Sequence, residues 1–485
     1  MTEAPKDFLM LLSCNAYAAL SGNKIEETKR EACMEQMTVR DIVKATGGRL
    51  LCGDEGLSLR RVSIDSKDIQ GGELFVPLVG ERVDAHRFIG QAFEGGAAAV
   101  LTSEHDQMED THPWIRVEDT RQALQAVGSY YRDRLTLPLV GITGSVGKTT
   151  TREMVAAALS AGFRVYKTPG NKNSQVGVPI TLTEITPADE IGVLELGMSM
   201  PGELTVIARI ARVDLAVITN VGVTHIEQLG SQENIYREKL TIQDGLKDGG
   251  ILLLNGDDPM LRETRAKEGC STIYYGTGEN CDYRAEDIRL VEGRPVFTAV
   301  CKERRIPVSL QVLGRHHVGN AMAALAVADL YGVPLKAAAE RLKEYQGFQG
   351  RQQIFKRDGV TIIDDTYNAS PVSMMAALEV LLSMKTSGKR VAVLADMKEL
   401  GQTAGRFHEE IGSWLGQHPV DVVFTLGELA GVIEAGELCL HFDGKDLDGL
   451  TEKLIEMLRP GDCVLLKGSN SMKLGKVAER LLKDG

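Results

Sequence analysis

Gly141-Ile-Thr-Gly-Ser-Val-Gly-Lys-Thr-Thr-Thr151 (GITGSVGKTTT) decides the fold of this chain. It follows an apolar run, Leu137 to Ile142, and opens a helical pattern, so it reads as a strand-to-helix turn. Its pattern is GxxGxxGKT rather than the strict GxxxxGK[ST]. Glycines let backbone N–H groups turn inward around phosphate oxygens, and the following helix adds its positive end. Gly144, Ser145, Val146, Gly147, Lys148, Thr149 and Thr150 are therefore candidate nucleotide-binding residues, with Lys148 reaching the β- and γ-phosphates and the Thr149 hydroxyl available to Mg²⁺. The loop alone says that ATP or GTP is used and leaves the reaction open.

Working outward, IGVLELGM (from Ile191), DLAVITNVG (from Asp214) and GGILLLNGDD (from Gly249) are continuous apolar strands separated by helical patterns such as TTREMVAAALSAG (150–162). That alternation predicts a parallel sheet covered on both faces. Residues 272–312 change to a charged, strand-rich pattern, expected as antiparallel strands appended to this domain, and the alanine-rich helix NAMAALAVADLYG follows. Upstream, TVRDIVKATGGRLL (38–51) predicts a short helix closed by Gly47-Gly48, then alternating strands and helices to Ser103. Downstream of Gly347, VTIIDDTYN, RVAVLADM, DVVFTLG and DCVLLKGS again alternate with helices.

The fold expected is α/β in three domains: a small N-terminal α/β domain (37–112), a central P-loop parallel-sheet ATPase domain (113–345) and a C-terminal Rossmann-like domain (346–485). The polar stretch EHDQMEDTHP reads as a linker between the first two. Residues 1–36 read as an extension, ahead of a start at Met34 or Met37; FLMLLSCNAYAAL within it is a poor signal peptide because Glu3 and Asp7 precede it and polar residues interrupt it.

Composition narrows the function classes. With 485 residues, 43% hydrophobic and 25% charged, the chain is long enough for several ordinary cores, and a net charge of −12 argues against a general nucleic-acid binder or a membrane-surface protein. The eight cysteines form no CxxC pair and read as reduced thiols of a cytoplasmic protein. No apolar run reaches the ~18 residues of a membrane span.

Two rim residues accompany the loop. Glu195 ends the strand GVLELGM, where a carboxylate meets the crevice at the carboxyl edge of a parallel sheet, and His225 follows the next strand into the same rim. Both are candidate metal or phosphate groups. Lys239 lies in a predicted helix, SQENIYREKLTIQDGL, capped by Ser231, and by spacing alone it is a solvated lysine on a polar face.

Taken together, GITGSVGKTTT, GNKNSQVGVPITL (170–182), ELGM (195–198), TNVGVTHIEQLGS (219–231), LGRHHVGNAMAALAVA (313–328) and DDTYNASPVSMMAAL (364–378) resemble the Mur ligase family of ATP-dependent amide-forming enzymes in order and approximate spacing. VSIDSKDIQGGELFVPLVGERVDAH (62–86) and LADMKELG (394–401) extend the likeness. The resemblance implies that the N-terminal domain holds the UDP end of an acceptor, the central domain ATP, and the C-terminal domain the incoming amine. ATP would phosphorylate the carboxylate of UDP-MurNAc-tripeptide, and D-alanyl-D-alanine would displace the phosphate.

Residue by residue, the family likeness gives Lys148, His225 and Lys239 catalytic roles, and assigns two Mg²⁺ ions to Thr149, Glu195, His225 and a carbamylated Lys239. Asn320 would lie near the adenine; Arg351 and Asp365 would reach ATP; Ser66, Asn171, Tyr367 and Asn368 would contact the other substrates. The expected partners are these small molecules, with no nucleic acid, no membrane insertion and a monomeric chain. Lys67, Ala85, Thr241 and Asn470 depart from the residues common at those places in the family. The alternatives are a sister ligase adding lysine or diaminopimelate, whose DNPR-type motif is missing here, a folylpolyglutamate synthase-like ligase, which lacks such an N-terminal domain, and a non-catalytic nucleotide-binding regulator, which would not need Lys148, Glu195, His225 and Lys239 together.

Overall fold

The computed structural model describes Met34, residues 37–433, Ala435 and residues 438–483. The proposed extension falls outside these residues except for Met34, which is buried in the N-terminal core.

The central sheet has nine strands in the order Arg304–Ser309, Arg294–Cys301, Tyr283–Val291, Ser271–Gly276, Ile251–Asn255, Leu215–Ile218, Leu139–Thr143, Ile191–Glu195 and Val165–Lys167. Pairing is parallel from Val165–Lys167 to Tyr283–Val291, and the last two strands add antiparallel. The expectation of antiparallel strands over residues 272–312 holds for Tyr283–Val291 onward, whereas Ser271–Gly276 continues the parallel sheet and Tyr283–Val291 pairs with it in parallel. Leu139–Thr143 sits between Ile191–Glu195 and Leu215–Ile218; the chain leaves it for the edge strand Val165–Lys167, returns through Ile191–Glu195 and then crosses to Leu215–Ile218 on its other side. That switch opens a crevice at the carboxyl ends of three neighbouring strands. One core covers each face of the sheet. The helix His317–Leu330 buries Val318 and residues 321–328 in one of them, while Asn320 in its first turns stays at the edge.

The C-terminal sheet runs Gln353–Arg357, Val360–Asp365, Cys463–Lys467, Arg390–Ala395, Val422–Leu426, Leu438–Phe442, parallel except for the first pair. Its two edge strands, Gln353–Arg357 and Leu438–Phe442, were not expected from the sequence; both are short and mixed in polarity, as edge strands half open to water are.

In the N-terminal domain the helix Val39–Thr46 ends at Gly47, whose φ of 64° closes it as a left-handed cap. Its five-stranded sheet corrects one boundary. Trp114–Arg116 pairs with both Arg49–Cys52 and Ala99–Thr102, so the domain continues past residue 112 and residues 104–113 connect two of its strands instead of linking domains. The next helix, Thr120–Arg132, is shared. Its Ala123, Leu124, Val127 and Tyr131 join the N-terminal core, while Arg132 donates to the carbonyls of Ala211 and Arg212 in the central domain. Gly128 lets it approach Pro179 of the central helix Gly177–Thr183, since a Cβ there would lie 2.6 Å from the proline backbone. A polar connection and a domain linker have the same composition; only strand pairing separates them.

Candidate active site

A cavity of about 390 Å³ lies at the crevice, walled by the central domain on one side and by Arg351, Asp365, Tyr367, Asn368 and Lys467 of the C-terminal domain on the other. The glycine loop forms its floor. Gly147, with φ of 84°, precedes the helix Lys148–Leu159, so the helix N-terminus faces the cavity through Ser145, Val146, Gly147, Lys148 and Thr150. The segment after the strand Leu215–Ile218 sets the loop's shape: Val146 N–H donates to Asn220 Oδ1 at 2.9 Å, and Thr219 Oγ1 donates to Val146 O at 2.6 Å. Gly144 is obligatory here, because a Cβ would lie 1.9 Å from Thr219 Oγ1.

Lys148 Nζ bends back to donate to Gly144 O at 2.7 Å. Burial lowers its pKa from the ordinary lysine value, Arg351 adds to that, and Glu195 and Glu399 oppose it. Its own loop's carbonyls are the stand-in for an anion. Arg351 faces it with a buried Nε that has no hydrogen-bond partner, its guanidinium stacked 4.1 Å from the Tyr367 ring centre. An orphaned guanidinium nitrogen, a lysine on its own carbonyls and a helix N-terminus around one cavity fit a polyphosphate.

Glu195 is 2% exposed, and both its oxygens are held: Oε2 by Arg152 Nη1 at 3.1 Å and Oε1 by Asn173 Nδ2 at 2.8 Å. Arg152 is wholly buried and also binds Gly170 O and Glu153. His225 lies in the left-handed region, φ 66°, and its Nδ1 is 2.5 Å from Glu399 Oε2 of the C-terminal domain. A buried carboxylate and a threonine hydroxyl are hard oxygen donors that suit Mg²⁺, the imidazole beside them being a softer nitrogen donor, and each carboxylate oxygen keeps a second lone pair for the ion.

Lys239 contradicts the solvated reading. It is 2% exposed, and burial, with the nearby charge of Lys148, drives its ammonium well below the usual lysine range, Glu238 opposing. Its neighbour Glu238 caps the helix Glu203–Ala211 through Gly202 N and Leu204 N.

The chain matches the Mur ligase middle domain over residues 142–328, the Mur ligase glutamate ligase domain over 350–470 and the Mur ligase family catalytic domain over 58–132. It is 39% identical to UDP-N-acetylmuramoyl-tripeptide–D-alanyl-D-alanine ligase of Bacillus subtilis, across 93% of this chain and 99% of that protein. The chain belongs to the Mur ligase family. The enzyme of the same name from Escherichia coli is 32% identical over 93% of the chain and 100% of its own length. Among solved structures, MurF from Acinetobacter baumannii superposes with a TM-score of 0.84 at 30% identity, covering 92% of this chain and 98% of that one. MurF ligase from Thermotoga maritima in complex with ADP gives 0.78 at 31%, covering 88% and 99%.

In this Mur ligase the cavity brings together most of the residues singled out from sequence: the loop, Glu195, His225, Asn320, Arg351, Asp365, Tyr367 and Asn368 all line it. Asn320 accepts from Thr151 Oγ1 at 3.1 Å and lies 3.3 Å from His317. Thr149, buried in the first turn of its helix, Gly144, packed against Thr219, and the buried Lys239 do not line the cavity. Ser66 is elsewhere, in the N-terminal domain, bonded to Gln91. Asn171 is exposed and outside the cavity; the asparagine two residues on, Asn173, is the one that reaches Glu195. Both sit in GNKNSQVG, and only the turn at 170–174 decides which faces inward.

Sequence reasoning missed Arg152, Asn173, Asn220 and Glu399, and gave Lys467 no partner. Lys467 is buried with its Nζ 2.6 Å from Asp365 Oδ2, a pair that fixes Asp365 at the cavity wall. His316 lines the same cavity, its ring centre 4.1 Å from that of His317. Arg152 carried no signal because arginine in a helix is ordinarily at the surface. Replacing it with methionine leaves the buried Glu195 without its cationic partner, while Glu153 keeps Lys167, so Arg152→Met should cost about 3 kcal/mol of stability, read as a lower denaturant midpoint. An unchanged midpoint would show that the pair contributes nothing net.

Proposed function

We infer that this protein is an ATP-dependent ligase that joins D-alanyl-D-alanine to UDP-MurNAc-tripeptide in peptidoglycan synthesis. The observation that carries the reading is the conjunction of identity along nearly the whole chain with the D-alanyl-D-alanine ligases and a cavity whose cations converge on one anion-binding turn. A carboxylate is a poor electrophile, and converting it to an acyl phosphate supplies a leaving group. Two anions must approach each other for that transfer. Lys148, Arg351 and the helix N-terminus supply the positive charge that offsets their repulsion. The attacking amine then displaces phosphate, and walls from two domains keep water from the intermediate.

Thr149, Glu195 and His225 are the residues that would hold Mg²⁺, which would neutralise phosphate charge as it develops. Lys239 is the residue for carbamylation: a buried amine held neutral is nucleophilic toward CO₂, and the product carries the negative charge that the neighbouring Lys148 favours. In this reading Asn320 contacts the base, Arg351 and Asp365 the nucleotide, Tyr367 and Asn368 the amine, and Ser66 the UDP end. A cytoplasmic location agrees with the absence, among the described residues, of any helix long and apolar enough to cross a membrane and with the supply of nucleotide substrates.

The test is phosphate release by purified protein with ATP and UDP-MurNAc-tripeptide. D-alanyl-D-alanine should drive turnover, whereas lysine or diaminopimelate offered with UDP-MurNAc-dipeptide should not. Turnover only in the second pairing would replace this reading by that of the sister ligase.

A further inference from the structure

The segment LADMKELG, distinctive in the sequence, has no role in the chemistry above. In the fold it is a built loop after the strand Arg390–Ala395. Asp396, 1% exposed, accepts from Ala430 N at 2.7 Å and pairs with Lys398 Nζ at 2.8 Å. Met397 N donates to His408 Nε2 at 3.0 Å, and Lys398 N to Ser469 Oγ at 2.8 Å. These contacts tie the loop to its own domain. Glu399, whose φ of 65° turns it out of the loop, reaches across the domain boundary.

There it meets the segment that carries His225. Glu399 O accepts from Glu227 N at 3.3 Å, and Glu399 Oε2 lies 2.5 Å from His225 Nδ1. The segment itself is wedged between domains: Val223 packs on the C-terminal core, and Ile226 on both the central and the C-terminal cores. Gly401, φ 54°, allows the approach, since its Cβ would come within 3.3 Å of Glu227 Cα. His225 Nδ1 is buried, and Glu399 Oε2 is the group that stands against it. Contact with His225, and more weakly the charge of Lys148, hold the Glu399 carboxyl below the usual glutamate range against its partial burial.

We propose that Glu399 is a positioning residue, a carboxylate lent by the C-terminal domain that fixes the His225 ring with Nδ1–H toward itself and Nε2 toward the cavity. A carboxylate on one ring nitrogen sets the tautomer and raises the basicity of the other. Because the carboxylate belongs to a different domain from the histidine, His225 is oriented only when the two domains are docked. The proposal rests on the reading of His225 as a cavity group.

The test uses the full chain labelled with ¹⁵N-histidine, the His225 signals being assigned with His225→Gln, together with steady-state turnover. In the wild-type protein His225 should be the Nδ1–H tautomer. Glu399→Ala should shift it toward Nε2–H and lower kcat about 10–100-fold, as loss of such a partner does elsewhere, with little change in the KM for ATP. Glu399→Gln, which can still accept through its amide oxygen, should recover part of both. Glu399 is 45% exposed, so the variants should fold. An unchanged tautomer or wild-type kcat in Glu399→Ala, with His225→Gln inactive, would overturn the role of Glu399 alone. Wild-type turnover in His225→Gln would overturn the reading beneath it.

Discussion

Lys148→Ala should reduce ATP-dependent phosphate release by about 10³-fold or more while leaving the thermal unfolding midpoint within a few degrees of wild type. The side chain contributes charge at the point where two anions meet, not core volume. Its Nζ rests on Gly144 O and Ser145 O, carbonyls of the turn that would cradle the phosphates. Burial already disfavours its ammonium form, and an arriving polyphosphate restores it, so most of the benefit of the charge is realised with nucleotide bound. Nucleotide affinity should fall less than kcat, because Arg351 and the helix N-terminus remain. Turnover within tenfold of wild type would remove the glycine turn from the reaction.

Lys239→Ala is the second large effect: turnover should fall by about 10²–10³-fold, a loss of the size expected when charge placement at the reacting phosphates fails. Stability should change little. As a free amine Lys239 is a buried lysine whose charged form is strongly disfavoured, and relief of that desolvation offsets the cavity left by its stem. Loss of activity without loss of stability therefore marks a chemical role. Formate or acetate diffusing into the space should restore part of the turnover if a carbamate carboxylate is what the side chain supplies. No rescue by any short carboxylate, at unchanged stability, would remove the carbamate from the account and leave Lys239 as an amine. His225→Gln serves as the control, since added carboxylate should not rescue it.

The two lysines differ in how far the sequence alone could take them. Lys148 sits in a motif whose mechanism is local: three glycines, a helix start and a cation within eleven residues. Lys239 looks like any lysine of an amphipathic surface helix, with glutamate and arginine beside it, and family likeness alone gave it a role. Its burial comes from the packing of its helix into the core beneath the crevice, contacts made by residues far away in the chain.

What the chain determined locally was the succession of elements. Apolar runs of strand length, glycine caps and helical periodicity are properties of a few consecutive residues, and they located the glycine turn, the strand that ends at Glu195, the helix capped by Ser231 and three α/β units. What tertiary structure decided were the relations across distance. Trp114–Arg116 belongs to the first sheet because of its partners, not its composition. Asn173 rather than Asn171 faces Glu195 because one turn points it inward. Arg152 is buried because two carboxylates and a carbonyl converge on it, and Glu399 meets His225 because two domains dock with a left-handed residue on each side. Periodicity records which face of an element is apolar; it holds no record of which distant charge will stand opposite.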